Sequence, residues 1–321
     1  MWNDAIEREL APGDLVLRVD DSEMQIKNGE FLDIYATNYY KQRQLQKAVE
    51  LFQRGEFRDG DVFYIPDIFY PGIEALRYMA DLGGIAICIA TFNHAGRADK
   101  DDFVQNLGRW ADAQEAAWHE LSDLVMTGSW YQANRVLRYF PGSRVEVVGA
   151  VWDKRWMDEA TLEINATEKE EFVIWPHRPC REKRYELLLK IAAANPELRF
   201  VITSGGPARL DHRKLPNNIE YRANLTKKQY FEIFSRAKYF LSTAYQETFG
   251  YTIQEAIYFG AQIICPDYAC YREYVHPDSI LPFEEMTHPG LLTKMYRAGG
   301  LDKSTQFPDN AAKIVKLIRN I

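Results

Sequence analysis

Short apolar runs alternate with amphipathic stretches along the chain. Runs at 61–66 (DVFYIP), 85–91 (IAICIAT), 124–128 (LVMTG) and 145–148 have the continuous apolar character of strands covered on both faces. Between them, 72–82, 102–121 and a stretch beginning at Ser129 repeat apolar residues at helical spacing, with Gly128 or Ser129 as a cap. Upstream, the pattern predicts a short helix, a turn at Pro12-Gly13, a strand over 14–19 (DLVLRV) and a helix over 31–52 with a basic face of Lys41, Arg43 and Lys47. The loop between that strand and that helix opens with Asp20-Asp21-Ser22-Glu23, which reads as an exposed strand end rather than a metal site.

Residues 149–170 are polar around an isolated Trp156, and the apolar pattern then restarts. Strands are predicted over 172–176, 200–203, 219–222, 239–245 and 262–265, with helices over 183–194, 227–237 and 251–259. A terminal amphipathic helix occupies 310–321 (NAAKIVKLIRNI). Strands alternating with helices predict parallel α/β sheets. The boundaries that follow are a Rossmann-like domain over 1–150, a linker over 151–170, a second Rossmann-like domain over 171–304 and a C-terminal helix over 305–321.

Composition supports two cores: the 321 residues are 46% hydrophobic and 13% aromatic. No apolar run approaches the roughly 18 residues of a membrane span, and the N-terminus lacks a basic-then-apolar leader pattern. The four cysteines have no metal-ligand spacing, so reduced thiols and a cytoplasmic setting are expected. A net charge of −7 argues against a surface that grips nucleic acid throughout, although a local basic cleft stays open.

Chemistry concentrates at 239–266, YFLSTAYQETFGYTIQEAIYFGAQIICP. A strand feeds a helix through a polar turn containing Gly250, and Gly260 ends that helix. The amides of Gly250, Tyr251 and Thr252 at the helix start suit a diphosphate, helped by the helix dipole. Glu247 and Glu255 flank this start with seven residues between them. One carboxylate inside the helix can accept both hydroxyls of a ribose, and one ahead of it can hold sugar hydroxyls. After the first strand of the second half comes WPHRPCREK, in which Arg178 and Lys183 can face a departing diphosphate. Ser204-Gly205-Gly206 and 221–224, with Arg222, end two neighbouring strands where a base could approach.

The arrangement of Arg178, Lys183 and the Glu247–Glu255 pair resembles the retaining GT-B glycosyltransferases of the glycogen-synthase and family-4 type. Trp175–Arg178, Ala237–Ala244 and Glu247–Ala256 are similar to segments of the tRNA-queuosine mannosyltransferase group. FLDIYATNYYKQRQLQKAV and FNHAGRADKDDF in the N-terminal half resemble glycosyltransferase-like proteins of tailed bacteriophages. These resemblances imply an α/β fold of GT-B type, with two Rossmann-like domains facing each other across a cleft. They imply a nucleotide-sugar donor, UDP-linked by preference with a GDP-sugar as the alternative, retention at the anomeric carbon, and no metal or other cofactor. They place Arg178 and Lys183 on the diphosphate, Glu247 on the donor sugar, Glu255 on the ribose, and His94 of the N-terminal half beside the sugar. One departure stands out. The glycine-rich loop usual after the first strand is replaced by DDSEMQIKNGEF. The phage resemblance points to a hydroxymethylated DNA base as acceptor, met by Arg97, Asp99 and Lys100. A tRNA, a glycan or a small metabolite are the other acceptors, and a nucleotide-sugar-binding protein without turnover is the reading of another class.

Overall fold

The computed structural model describes residues 2–19, 24, 33–164, 168–206, 210, 214–291 and 310–321. The chain divides into two compact units, one running to Trp152 and taking back the terminal helix, the other beginning at Asp153.

In the first unit, α1 (Trp2–Arg8) and α2 (Ile34–Gln53) precede a four-stranded parallel sheet in the order β1 (Val62–Ile65), β2 (Cys88–Asn93), β3 (Leu124–Thr127), β4 (Val145–Val147). Helices α3 (Ile73–Gly83), α4 (Trp110–Leu121) and α5 (Trp130–Tyr139) connect the strands. Alternation within the strands sends Ile65, Ile89 and Val125 to one face, where Ile73, Leu76 and Ala80 of α3 and Trp118 of α4 cover them. Helix α5 starts where the sequence places its cap, the Ser129 side chain accepting from the Gln132 amide at 3.2 Å.

Three expectations for this unit need correction. Residues 14–19 form no strand. Leu15 and Val16 are exposed, and the carbonyls of Leu17 and Arg18 accept from Gln44 and Lys47 of α2 rather than from a sheet ladder. The long helix expected over 102–121 is broken: Asp102 caps a 3-10 turn, Phe103–Asn106, and α4 begins only after Gly108. The strand expected over 85–91 begins at Cys88 and continues to Asn93, in register with Val62–Ile65. Residues 20–23, with the rest of the replacement loop to 31 apart from Met24, lie outside the described residues.

In the second unit, α6 (Lys154–Ala160) occupies part of the stretch read as a linker. A six-stranded parallel sheet follows, built from β5 (Glu170–Trp175), β6 (Arg199–Thr203), β7 (Ile219–Arg222), β8 (Ala237–Leu241), β9 (Gln262–Pro266) and β10 (Ile280–Leu281). Its spatial order is β10-β9-β8-β5-β6-β7, so the chain reverses direction of travel between β8 and β5. Connecting helices are α7 (Tyr185–Ala194), α8 (Lys227–Arg236) and α9 (Tyr251–Phe259), with a short α10 (Phe283–Met286) beyond β10. Strand alternation sorts the core into two layers. Val173, Trp175, Tyr239 and Leu241 face α7, while Phe172, Ile174 and Phe240 pack against Phe234 of α8 and Ile253 and Ala256 of α9. The Lys169 ammonium ties the ends of α8 and α9 together, donating to the carbonyls of Ser235, Ala237 and Phe259 at 2.8, 3.0 and 2.7 Å. Strand β8 ends earlier than the expected 239–245: after Ser242, whose amide still donates to the Ile264 carbonyl of β9 at 2.9 Å, the backbone leaves the ladder to build the turn described below.

The terminal helix α11 (Asn310–Ile318) packs on the first unit, where Asn310 donates to the Ala150 carbonyl at 2.6 Å and Lys313 to the Val147 carbonyl at 2.8 Å. Gly149 is required there, because a Cβ would sit 2.3 Å from the Asn310 amide nitrogen.

Candidate active site

Ligands in open parallel α/β sheets bind beyond the carboxyl ends of the strands, at the point where strand order reverses. In the second unit that point lies between β5 and β8, whose following loops carry Lys183 and Glu247. The two loops are stitched together. The Trp175 indole N–H donates to Thr243 Oγ1 at 2.9 Å, the Thr243 hydroxyl donates to the Lys183 carbonyl at 2.6 Å, and the Tyr245 amide donates to the Glu182 carbonyl at 3.1 Å. Lys183 Nζ then reaches Glu247 Oε1 at 2.7 Å and the Gln246 carbonyl at 3.1 Å. Burial opposes the lysine charge, but the Glu247 and Glu182 carboxylates outweigh it and hold the ammonium above its ordinary pKa. Lys183 is therefore a fixed cation at neutral pH. Arg178 is more exposed, with a guanidinium nitrogen 3.3 Å from Glu182.

Backbone conformation is unusual around this edge. Arg184, Asn224 and Ala269 have positive φ without being glycine, and they lie in the loops after β5, β7 and β9. Gly250, in the loop after β8, has φ 79° and ψ 66° and leads directly into α9, whose start has no side-chain cap. Tyr274 donates to the Phe249 carbonyl, which fixes the turn ahead of that helix. The amides of Gly250, Tyr251 and Thr252 thus open a helix of nine residues at the sheet edge, as expected.

Glu255 is buried one turn into α9. Lys227 Nζ lies 3.0 Å from its Oε1, and the Tyr230 hydroxyl donates to its Oε2. Burial, then the Glu255 charge, push the Tyr230 phenol well above its ordinary pKa, so it stays a donor. Gly205 lies in the exposed turn after β6, tied to the loop after β7 through Leu225 N–H to Ser204 carbonyl (3.2 Å) and Asn224 N–H to Gly206 carbonyl (3.0 Å). Arg222 pairs with Glu220 of its own strand. Lys227, Tyr230, Thr243 and Tyr274 went unnoticed in the sequence. Only the i, i+3 spacing of Lys227 and Tyr230 on a capped helix could have flagged the first two.

The remaining candidates sit in the first unit. His94 follows β2, its Nε2 paired with the Pro66 carbonyl at 2.9 Å and its ring against Phe92 and Trp2. Desolvation lowers its pKa, and with Nε2–H donating to that carbonyl, Nδ1 remains as the acceptor. Arg97 is engaged within its own loop: its amide donates to both Glu115 carboxylate oxygens and its guanidinium to Asp112 and the Val104 carbonyl. Asp99 is buried in an ion pair with Arg135 at 3.1 Å, while Lys100 is exposed. No group of three or more His, Cys, Asp or Glu side chains suited to a metal occurs among the described residues. No helix among them is long and apolar enough to cross a membrane.

Residues 158–293 match the family model described as Glycosyl transferases group 1, a span that contains Arg178, Lys183, Glu247 and Glu255. The fold is that of GT-B proteins. A sucrose-phosphate synthase from Thermosynechococcus elongatus superposes with a TM-score of 0.58 at 14% identity, covering 88% of this chain and 73% of that one. An α,α-trehalose 6-phosphate synthase from Burkholderia multivorans gives 0.55 at 13% identity, covering 90% and 71%. A pneumococcal O-GlcNAc transferase, GtfA, solved with UDP and GlcNAc, gives 0.51 at 14% identity, covering 85% of this chain but 56% of its own length. No curated protein sequence matches the chain significantly.

Proposed function

We propose that the protein is a retaining glycosyltransferase that moves a hexose or a pentose from a nucleotide-sugar donor to an acceptor hydroxyl. One observation carries this reading: a fixed Lys183 ammonium, 2.7 Å from Glu247, stands at the strand-order reversal beside an uncapped helix start. In transfer, the bond from the anomeric carbon to the diphosphate oxygen breaks and its electron pair leaves with the diphosphate. A bond to the acceptor oxygen forms, and the acceptor's proton passes to the departing phosphate oxygen. Charge builds on the diphosphate, where Lys183, Arg178 and the amides of Gly250, Tyr251 and Thr252 stabilise it more as the bond breaks than before. Glu247 holds the sugar hydroxyls and Glu255 the ribose. The site of GtfA, solved with UDP and GlcNAc, supports a UDP-sugar as the first donor to try, with GDP-sugars next. The residues assigned require no metal ion for these steps.

His94 is assigned to the sugar's surroundings, with its Nδ1 as the acceptor atom. For the acceptor substrate, the sequence resemblance of the N-terminal half to glycosyltransferase-like proteins of tailed bacteriophages supports a hydroxymethylated DNA base, with Lys100 an exposed cation of its loop. Mass spectrometry of hydroxymethylated and unmodified DNA, tRNA and simple glycans, each incubated with UDP- and GDP-sugars, tests this. A sugar mass on hydroxymethylated DNA alone supports the DNA reading, and addition elsewhere replaces it. Nucleotide binding without turnover on any acceptor or water would leave a binding protein in place of an enzyme.

A further inference from the structure

The Glu255 carboxylate is held from the side away from its own helix by two residues of α8. Lys227 approaches one oxygen at 3.0 Å and the Tyr230 hydroxyl donates to the other. A carboxylate accepts about four hydrogen bonds, two at each oxygen. Each oxygen of Glu255 therefore retains one acceptor site besides the one α8 fills. Two parallel acceptor sites on one rigid carboxylate match the two adjacent hydroxyls of a ribose, which can donate side by side. A glutamate otherwise has three side-chain torsions to fix on binding, an entropy cost that prior fixing by α8 removes.

The holders are themselves fixed. The Lys227 ammonium lies 4.5 Å from the centre of the Phe231 ring and 5.0 Å from that of Tyr230. Thr226 and Gln229 close a capping box that sets the first turn of α8. The same turn continues from the loop after β7, which is bonded to Ser204 and Gly206 after β6. The cation of Lys227 also balances the charge of a carboxylate that is 6% exposed.

We infer that Tyr230 and Lys227 are positioning residues that hold Glu255 to read both ribose hydroxyls, so that the second unit selects ribonucleotide over deoxyribonucleotide donors. The inference rests on the nucleotide-sugar reading above. An alternative role for the contact is to pin α8 to α9, and the two roles differ in what a substitution changes. A purely structural contact alters stability and shifts the binding of all nucleotides together. A positioning contact alters the ratio between them.

The test is calorimetric titration of the full chain with UDP, 2′-deoxy-UDP and 3′-deoxy-UDP, repeated with GDP and its two deoxy analogues. Wild type is expected to bind the ribonucleotide at least about tenfold tighter than either deoxy analogue, the order of one lost charge-assisted hydrogen bond pair. Tyr230→Phe is expected to bring that ratio to within about threefold by weakening the ribonucleotide alone. Lys227→Met, on an exposed lysine, provides a second variant if Tyr230→Phe folds poorly, with the same expected direction, and Lys227→Arg should restore most of the ratio. A wild-type ratio near one, or a ratio unchanged in both variants, overturns the inference while leaving the nucleotide site standing. Failure of wild type to bind UDP or GDP overturns both.

Discussion

Lys183 and Glu247 make a pair whose removal can be followed as stability as well as activity. Their side chains retain 14% and 16% exposure, and the ammonium also donates to the Gln246 carbonyl. Replacing Lys183 by Met keeps the aliphatic stem but leaves Glu247 as a largely buried charge facing only its neighbours. Breaking a buried pair from one side costs about 3–5 kcal/mol, and residual solvent contact places this one near the lower figure, about 3 kcal/mol. Glu247→Met leaves Lys183 with the Gln246 carbonyl and the Glu182 carboxylate 3.7 Å away, and should cost about 2 kcal/mol. The double substitution removes both charges together and should cost about 2 kcal/mol or less, well under the sum, giving a coupling of about 3 kcal/mol. Two-unit chains do not unfold in one step. The appropriate readout is therefore native-state hydrogen exchange in urea, followed on peptides from β5 and β8. All three variants should lose transfer. Additive single effects, within about 0.5 kcal/mol, would show that the two side chains do not act as a pair and would undo the fixed-cation argument.

Gly250→Ala places a Cβ 3.0 Å from the Tyr274 hydroxyl in a residue at φ 79°, so a loss of about 1–2 kcal/mol and weaker UDP binding are expected, measured by native-state hydrogen exchange on α9 peptides and by calorimetry. Thr243→Val strips the buried Trp175 indole N–H of its acceptor and the Lys183 carbonyl of its donor, which should lower stability by about 2–4 kcal/mol by native-state hydrogen exchange on peptides from β5 and β8, while Thr243→Ser should stay near wild type. In the first unit, burial raises the pKa of Glu115 to about 7 and lowers that of His119 to about 4. Between its ordinary value of 4.5 and about 7 the folded state binds more protons at Glu115 than the unfolded chain, so this group makes stability fall as pH rises through that window. His119 does the reverse between about 4 and 6.5, where the unfolded chain binds more protons and stability rises with pH. The two slopes oppose each other between pH 4.5 and 6.5. Glu115→Gln should therefore reveal a stability that rises across this range, seen by hydrogen exchange on peptides from β2 and β3 at several pH values. A profile parallel to wild type would contradict the Glu115 assignment, and a variant whose stability does not rise would contradict that of His119.

Much of the second unit was readable because its punctuation is local. Gly250 and Gly260 bound α9, both with positive φ, and the predicted helix over 251–259 is the one observed. The apolar strands there are covered on both faces, so their pattern needed no partner to be recognised. The first unit was harder. The alternation in DLVLRV is a genuine strand signal, yet Gln44 and Lys47 of α2 take its carbonyls, a tertiary contact that no window of sequence contains. Gly108 divides one amphipathic stretch into a 3-10 turn and a helix without disturbing the apolar spacing. In the site, the glutamate pair and Lys183 were visible as residue types at a given spacing. Their neighbours were not: Thr243 looked like one more strand residue, and Tyr230 lies 25 positions ahead of the carboxylate it holds.

On the proposed function, the second unit breaks the sugar–phosphate bond of a nucleotide sugar using Lys183 and Glu247. The most direct measurement is release of nucleoside diphosphate from a panel of UDP- and GDP-sugars, with the acceptors above or with water, comparing wild type with Lys183→Ala and Glu247→Ala. Release by wild type with at least one donor, reduced by about a hundredfold or more in both variants, is the predicted result, in line with the loss of one charge-stabilising group. No release from any donor by folded, nucleotide-binding wild type, or rates close to wild type in the two variants, would contradict it.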